Sequence, residues 1–341
     1  MRALRSGALL ATLVAFSSLA SVPVHAEPNV AAARALLDSP TRPTPSDLRR
    51  AYGGTLPAVN PFKHHSPLAY NRNQAMNTVQ GMWHDHLVQQ LRETMPKAIA
   101  HLEKAYPGAT YAALGRDVVV MSDALDAYYG SIGQHGRAAR VNASTASFSS
   151  NNHQDTVDLV THSTGLDLDH VHERGFVLYD NTRYRASSQS RKVMSSLYTA
   201  LQQRGKNTAD YADKLTLATI WNGNGAQMMP SSAAGADAFL ASHVASQKQQ
   251  MGPGALGPAQ ILRIPGIGYG LEWHGSFGPM RRTAAGVTTA PGALANIETR
   301  ESILWEAHEM LRLTESPEFQ QSVEHEAQQL GIQAPHEKAA Q

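Results

Sequence analysis

Residues 175–191 read GFVLYDNTRYRASSQSR: an apolar run ending on Asp180, then a loop rich in hydroxyls and arginine, then the start of a helical pattern. A continuous apolar run bounded by turn residues fits a strand buried on both faces, as in a parallel sheet. The pattern predicts a strand over 175–180 and a helix over 190–204. Two similar units precede it. Thr110-Tyr111-Ala112-Ala113-Leu114 reads as a short buried strand, Gly115-Arg116-Asp117 as a tight loop and 118–132 as a helix. Arg140-Val141-Asn142-Ala143-Ser144 is followed by a polar loop and a helical pattern near 154–162. Strands interleaved with helices imply an α/β fold with a parallel central sheet and right-handed crossovers, centred on 106–222.

Working outward, Met76, Val79, Met82, Trp83, Leu87, Leu91, Ile99 and Leu102 recur at helical spacing, so 73–104 is expected to form one kinked helix or a helix pair broken at Pro96. Residues 298–313 and 317–330 read as a C-terminal pair of amphipathic helices, followed by a frayed tail over 332–341. A helix is expected over 233–250 and a strand or hairpin over 261–277. On the N-terminal side, a short helix near 30–37 leads into a stretch dense in proline (Pro40, Pro43, Pro45, Pro57, Pro61, Pro67). Residues 27–72 are therefore expected to be an extended arm outside the core of a single domain over 73–331.

The chain has 341 residues, no Cys, and 29 Lys+Arg against 28 Asp+Glu. The absence of thiols excludes disulfide scaffolds, thiolate metal sites and cysteine nucleophiles, and the near-cancelling charge argues against a disordered polyelectrolyte. Residues 1–26 carry Arg2 and Arg5, an apolar run over 8–16 and Val24-His25-Ala26 before Glu27, the pattern of a cleaved secretory signal. Its apolar core is short for a membrane span. Cleavage there would remove two positive charges and no acid, leaving a net charge of −1. The expectation is a periplasmic or secreted chain with no membrane span after cleavage and no nucleic-acid partner recruited by bulk charge.

Ligands of open α/β sheets bind at the carboxyl ends of the strands. Asp180 would stand at that edge, where it could orient a sugar hydroxyl or a divalent cation. Ser187, Ser188, Gln189 and Ser190, with Thr182 before them, open the following helix, whose free N–H groups favour an anion. Arg183, Arg185 and Arg191 could neutralise it. If the first and third strands are neighbours, Arg116 and Asp117 face Asp180 across one crevice. Ser144 and Ser147 follow the middle strand and could add hydroxyls, or belong to a flexible loop. Each feature has a plain alternative: Ser188 as an ordinary helix cap, Arg116 and Asp117 as a surface pair shaping a turn.

Together these units resemble the type I phosphoribosyltransferase fold over about 100 residues. In that family a strand ends in two acids, followed by a hydroxyl-and-glycine loop that cradles a 5′-phosphate. Phe176 to Ser190 is similar to that element, and Tyr111 to Asp117 to the earlier strand and loop that bind pyrophosphate. Asn181 stands where the family has the second acid, and the loop holds no Thr-Gly pair. The resemblance implies an anionic, phosphorylated ligand and transfer or hydrolysis, with Asp180, Asp117 and Arg116 as the catalytic candidates. The alternative is a non-catalytic secreted binding or host-interaction protein on such a scaffold.

Other chemistries lack their signatures. A haloacid-dehalogenase-type phosphatase needs a second aspartate two residues after the nucleophile, where Thr182 stands. No H-E-x-x-H or G-x-S-x-G occurs. His84-Asp85-His86 would point apart on a helix. Asp167, Asp169, His170 and His172 could hold a divalent ion if extended, or form a polar turn. Glu272 and His274 would share one face of a strand, with Trp273 on the other.

Overall fold

The computed structural model describes residues 27–65, 87–115, 118–148, 152–181, 186–211, 213–221, 262–265, 273, 277–290 and 292–336. Five strands form one all-parallel sheet: β1 (Thr110–Leu114), β2 (Ala138–Val141), β3 (Phe176–Asn181), β4 (Leu215–Trp221) and β5 (Leu262–Pro265), in the spatial order β2-β1-β3-β4-β5. The α/β architecture anticipated from the alternation is thus observed. β3 lies at the centre, and Phe176, Val177, Leu178 and Tyr179 are all buried, which explains its unbroken apolar run.

Helices cover both faces. On one, Tyr111, Ala113, Val177 and Tyr179 pack with α4 (Val119–Ser131), α3 (Leu87–Ala105) and the C-terminal pair α8 (Ile297–Thr314) and α9 (Pro317–Gln329). On the other, Ala112, Leu114 and Leu178 pack with α5 (His153–Thr164) and α7 (Ala186–Gln203), with the short α6 (Val171–Arg174) alongside. α3 runs through the buried Pro96 as one helix, and Pro317 opens α9 behind its Ser316 cap. None of the described helices is long and apolar enough to cross a membrane.

Four stretches differ from expectation. The proline-dense segment is not simply extended: after α1 (Val30–Ala35), Thr44 and Asp47 form a reciprocal capping box and Pro45 opens α2 (Pro45–Ala51). Leu48, Tyr52 and Phe62 are buried in the main core, so this segment belongs to the domain. β2 spans Ala138–Val141, starting two residues before and ending three residues before the expected 140–144 strand, with Ser144 in the loop that follows as expected. β4 adds a strand where none was expected. So does an antiparallel hairpin, β6 (Met280–Thr283) with β7 (Gly286–Thr289), laid over α5 by buried Val287 and by Arg282 to Asp155 and Asp158. The expected 233–250 helix lies outside the described residues, as do residues 66–86 of the expected 73–104 helix. So does most of the 261–277 hairpin, of which β5 is a parallel sheet strand.

Candidate functional site

β1 and β3 are neighbours, paired in parallel with Ala112 opposite Leu178 and Ala113 opposite Tyr179. Their carboxyl ends therefore open at one edge. The helices that follow them leave to opposite faces, α4 to one and α7 to the other. Diverging connections at this strand order create a crevice, the usual ligand position in doubly wound sheets. Gly115 begins the β1 exit with a positive φ of 76°, and its amide donates to the carbonyl of Val141 at 3.0 Å. A Cβ there would stand 3.1 Å from the Ala143 carbonyl oxygen, so a side chain would have to push the two loops slightly apart as well as adopt a left-handed backbone. Arg116 and Asp117, which continue this loop, lie outside the described residues, as do Thr182, Arg183 and Arg185.

Asp180 is buried near the carboxyl end of β3, 8 % exposed, and its Oδ2 accepts a hydrogen bond from the Ser190 hydroxyl at 2.6 Å. Ser190 is itself fully enclosed on α7, so its hydroxyl is spent on holding the carboxylate rather than offered to a ligand. The strand and the helix are thereby tied together at the site. α7 starts at Ala186, four residues before the expected start at Ser190, so Ser187 and Ser188 lie in its first turn rather than in a preceding loop, where the backbone amides are the groups left unpaired by the helix itself. Gln189 is half-buried beside them. The side chains of Ser187, Ser188 and Arg191 lie outside the described residues.

The loop after β2 also reaches this edge, but its Ser144 and Ser147 hydroxyls turn inward. Ser147 donates to the Gly278 carbonyl at 2.8 Å and accepts from the Ser144 amide at 3.0 Å, while Ser144 donates to the Phe277 carbonyl. These two hydroxyls therefore clip 277–278 rather than face a ligand. Lys192 of α7 donates to the Phe148 carbonyl at 2.6 Å, which couples the same loop to the helix that carries Ser190.

A cluster that sequence reading missed lies on the opposite face of the same edge. Asp123 of α4, 2 % exposed, accepts from Arg42 through Nη2 at 2.6 Å and Nε at 3.1 Å, and is also paired with Arg140 of β2. Burial lowers the Arg42 guanidinium to about 10, opposed by the buried Glu306; burial and the like charge of Arg42 lower Arg140 to about 9. Both remain charged at neutral pH. By register Arg140 lies beside Ala113, which lies beside Tyr179, so the cluster underlies the β1 and β2 exits. Burial also drives the Tyr179 phenol well up, Ser122 and Arg140 opposing.

A second buried cluster is at the wrong edge. Glu103 accepts from Tyr129 at 2.8 Å and Tyr111 at 3.1 Å and pairs with Arg137, whose guanidinium stacks on both rings. It is packed beneath the amino end of β1 and closes on itself, as a structural network does. The histidine proposals dissolve in the same way. His170 bonds Asp167 at 2.6 Å on the surface, Asp169 pairs with Arg204, and His172 sits in α6 rather than on extended chain. No metal-holding group of His, Asp and Glu occurs among the described residues. His84 and His86, with Glu272 and His274, lie outside them, whereas Trp273 is buried and donates to the Ser39 carbonyl at 3.1 Å. No protein-family model, curated protein or solved structure matches the chain.

Proposed function

We propose that the chain is an exported α/β protein that recognises a phosphorylated or otherwise anionic small ligand in the crevice between the β1 and β3 exits, for hydrolysis or transfer. The observation that carries this reading is the adjacency of β1 and β3 at a switch point, with the amino end of an 18-residue helix and a buried aspartate on the same side. In it, the α7 amides and the arginines of the two loops meet the anion, and Asp180, held by Ser190, orients a hydroxyl or a divalent cation. The phosphoribosyltransferase-like resemblance supports the same assignment.

A second reading, a non-catalytic binding protein on this scaffold, has a specific observation in its favour. Asn181 replaces a second acid, and the hydroxyls of Ser144, Ser147 and Ser190 are engaged within the protein. The two readings share the ligand and differ in turnover.

The test is thermal unfolding of the chain from Glu27 onward against phosphate, ribose 5-phosphate, nucleotides and divalent ions. A ligand at a hundred times its Kd stabilises by about 2.7 kcal/mol, roughly 4 °C for a chain of this size. A shift that Ser188→Ala and Asp180→Asn both abolish supports the site. No shift with any anion removes the anion reading. N-terminal sequencing of the exported chain should return Glu27; Met1 would refute export by cleavage.

A further inference from the structure

One continuous chain of contacts runs from Arg42 to a loop of the candidate site, and a second set anchors the same segment on Trp273 and α8. In the first, Arg42 holds Asp123, Asp123 holds Arg140, and Arg140 returns a bond from Nη1 to the Arg42 carbonyl at 3.3 Å. Arg140 is the penultimate residue of β2, and the next residue, Val141, accepts the Gly115 amide bond that sets the β1 exit. In the second, the Ser39 carbonyl accepts from Trp273, whose own carbonyl accepts from Ala295. Arg300 of α8 stacks on the Trp273 ring and bonds the Leu37 carbonyl, closing this second set on the same segment.

The burial pattern sets these contacts apart from ordinary packing. Arg42, Asp123 and Arg140 side chains are 7, 2 and 11 % exposed, whereas the neighbouring Arg49–Glu315 pair of the same segment is 19 and 40 % exposed. A desolvated guanidinium that sets two N–H groups on one carboxylate oxygen is directionally constrained, so it transmits position in a way that an apolar contact does not. We infer that Arg42 is a positioning residue of the candidate site: through Asp123 and Arg140 it sets the β2 exit, and through that the Gly115 turn. Arg42 is then part of the ligand-binding machinery. This inference rests on the anion-site reading above.

The experiment compares Arg42→Ala with Leu48→Ala, which removes a fully buried side chain of the same segment without touching either set of contacts. Both are expected to lower the unfolding temperature. Affinity for inorganic phosphate is measured by calorimetry well below either transition, and backbone hydrogen exchange is followed by mass spectrometry. Because small misplacements of a supporting shell are costly, Arg42→Ala should weaken phosphate about tenfold or more, and millimolar ethylguanidinium should restore most of that loss. Leu48→Ala should stay within about twofold. Exchange should rise in Arg42→Ala at 111–115 and 141–148 selectively. Equal losses in the two variants, or unchanged affinity in Arg42→Ala, would overturn the inference. If the unsubstituted chain binds neither phosphate nor ribose 5-phosphate, the anion reading falls and exchange alone decides the positioning role: a local rise upholds it, a diffuse rise refutes it.

Discussion

Replacing Asp123 by asparagine removes one charge and almost no volume, so its cost isolates the electrostatics of the buried cluster. In the folded protein Asp123 is the carboxylate that two buried guanidiniums share, and the substitution leaves both without it in a region closed to water. Breaking a buried pair by removing one partner costs about 3–5 kcal/mol, because the remaining charge stays desolvated. Unfolding entropy for a chain of this length converts that to a fall of roughly 5–8 °C in Tm. The contrast is Arg49→Ala, whose partner Glu315 is 40 % exposed; solvent screening limits such a pair to about 0.2–1 kcal/mol, under about 2 °C. Differential scanning calorimetry of the two variants beside the parent measures both. A fall in Asp123→Asn no larger than that in Arg49→Ala would refute the view that this cluster is a desolvated anchor.

Three further outcomes follow from single contacts. Gly115→Ala should cost about 1–2 kcal/mol by chemical denaturation, since it combines a positive φ with a crowded approach to the Ala143 carbonyl; an unchanged midpoint would contradict the closeness of the two loops. Ser190→Ala should cost about 1.5–3 kcal/mol, the range for a hydrogen bond to a charged group, and urea unfolding reads it. Burial holds His308 below its ordinary value, Arg312 adding and Glu309 opposing, while its Nδ1 meets the Tyr52 hydroxyl at 3.0 Å. A base with a depressed folded pKa stabilises the protein above its unfolded value, about 6.5, and that contribution is lost as pH falls through the folded value. Stability should therefore decline from pH 7 toward 5, and His308→Gln should flatten the decline; an identical pH profile in the variant would refute it.

The parts of the fold that could be read from sequence are those where one short segment carries the whole signal. The Thr110–Leu114 strand matches its expectation because every residue after Thr110 is buried, and the α8 and α9 helices because Asn296 and Ser316 cap them. β4 was concealed by Thr216, a fully buried residue whose hydroxyl reaches Tyr106 at 3.4 Å, so its polarity is satisfied within the core. The N-terminal segment was misread because proline density suggests extension, while Pro45 in fact occupies the one helical position that lacks nothing by being proline. At the site, the carboxyl-edge placement of Asp180 and the neighbour relation of β1 and β3 followed from strand order and pattern. The inward turn of Ser144, Ser147 and Ser190 did not, because a serine gives no sequence signal of where its hydroxyl points. Nor did the Arg42–Asp123–Arg140 cluster, whose members stand 81 and 17 residues apart and meet only through tertiary packing.

The central claim is that an anionic ligand enters at the carboxyl edge between β1 and β3. Its most direct test is a phosphate and ribose 5-phosphate titration followed by amide chemical shifts of the isotopically labelled chain. The account predicts saturable shifts at Gly115 and at 186–190, with Gly108 and Gly175 at the amino edge unmoved. Saturable shifts confined to the amino edge, or none at either, would contradict it.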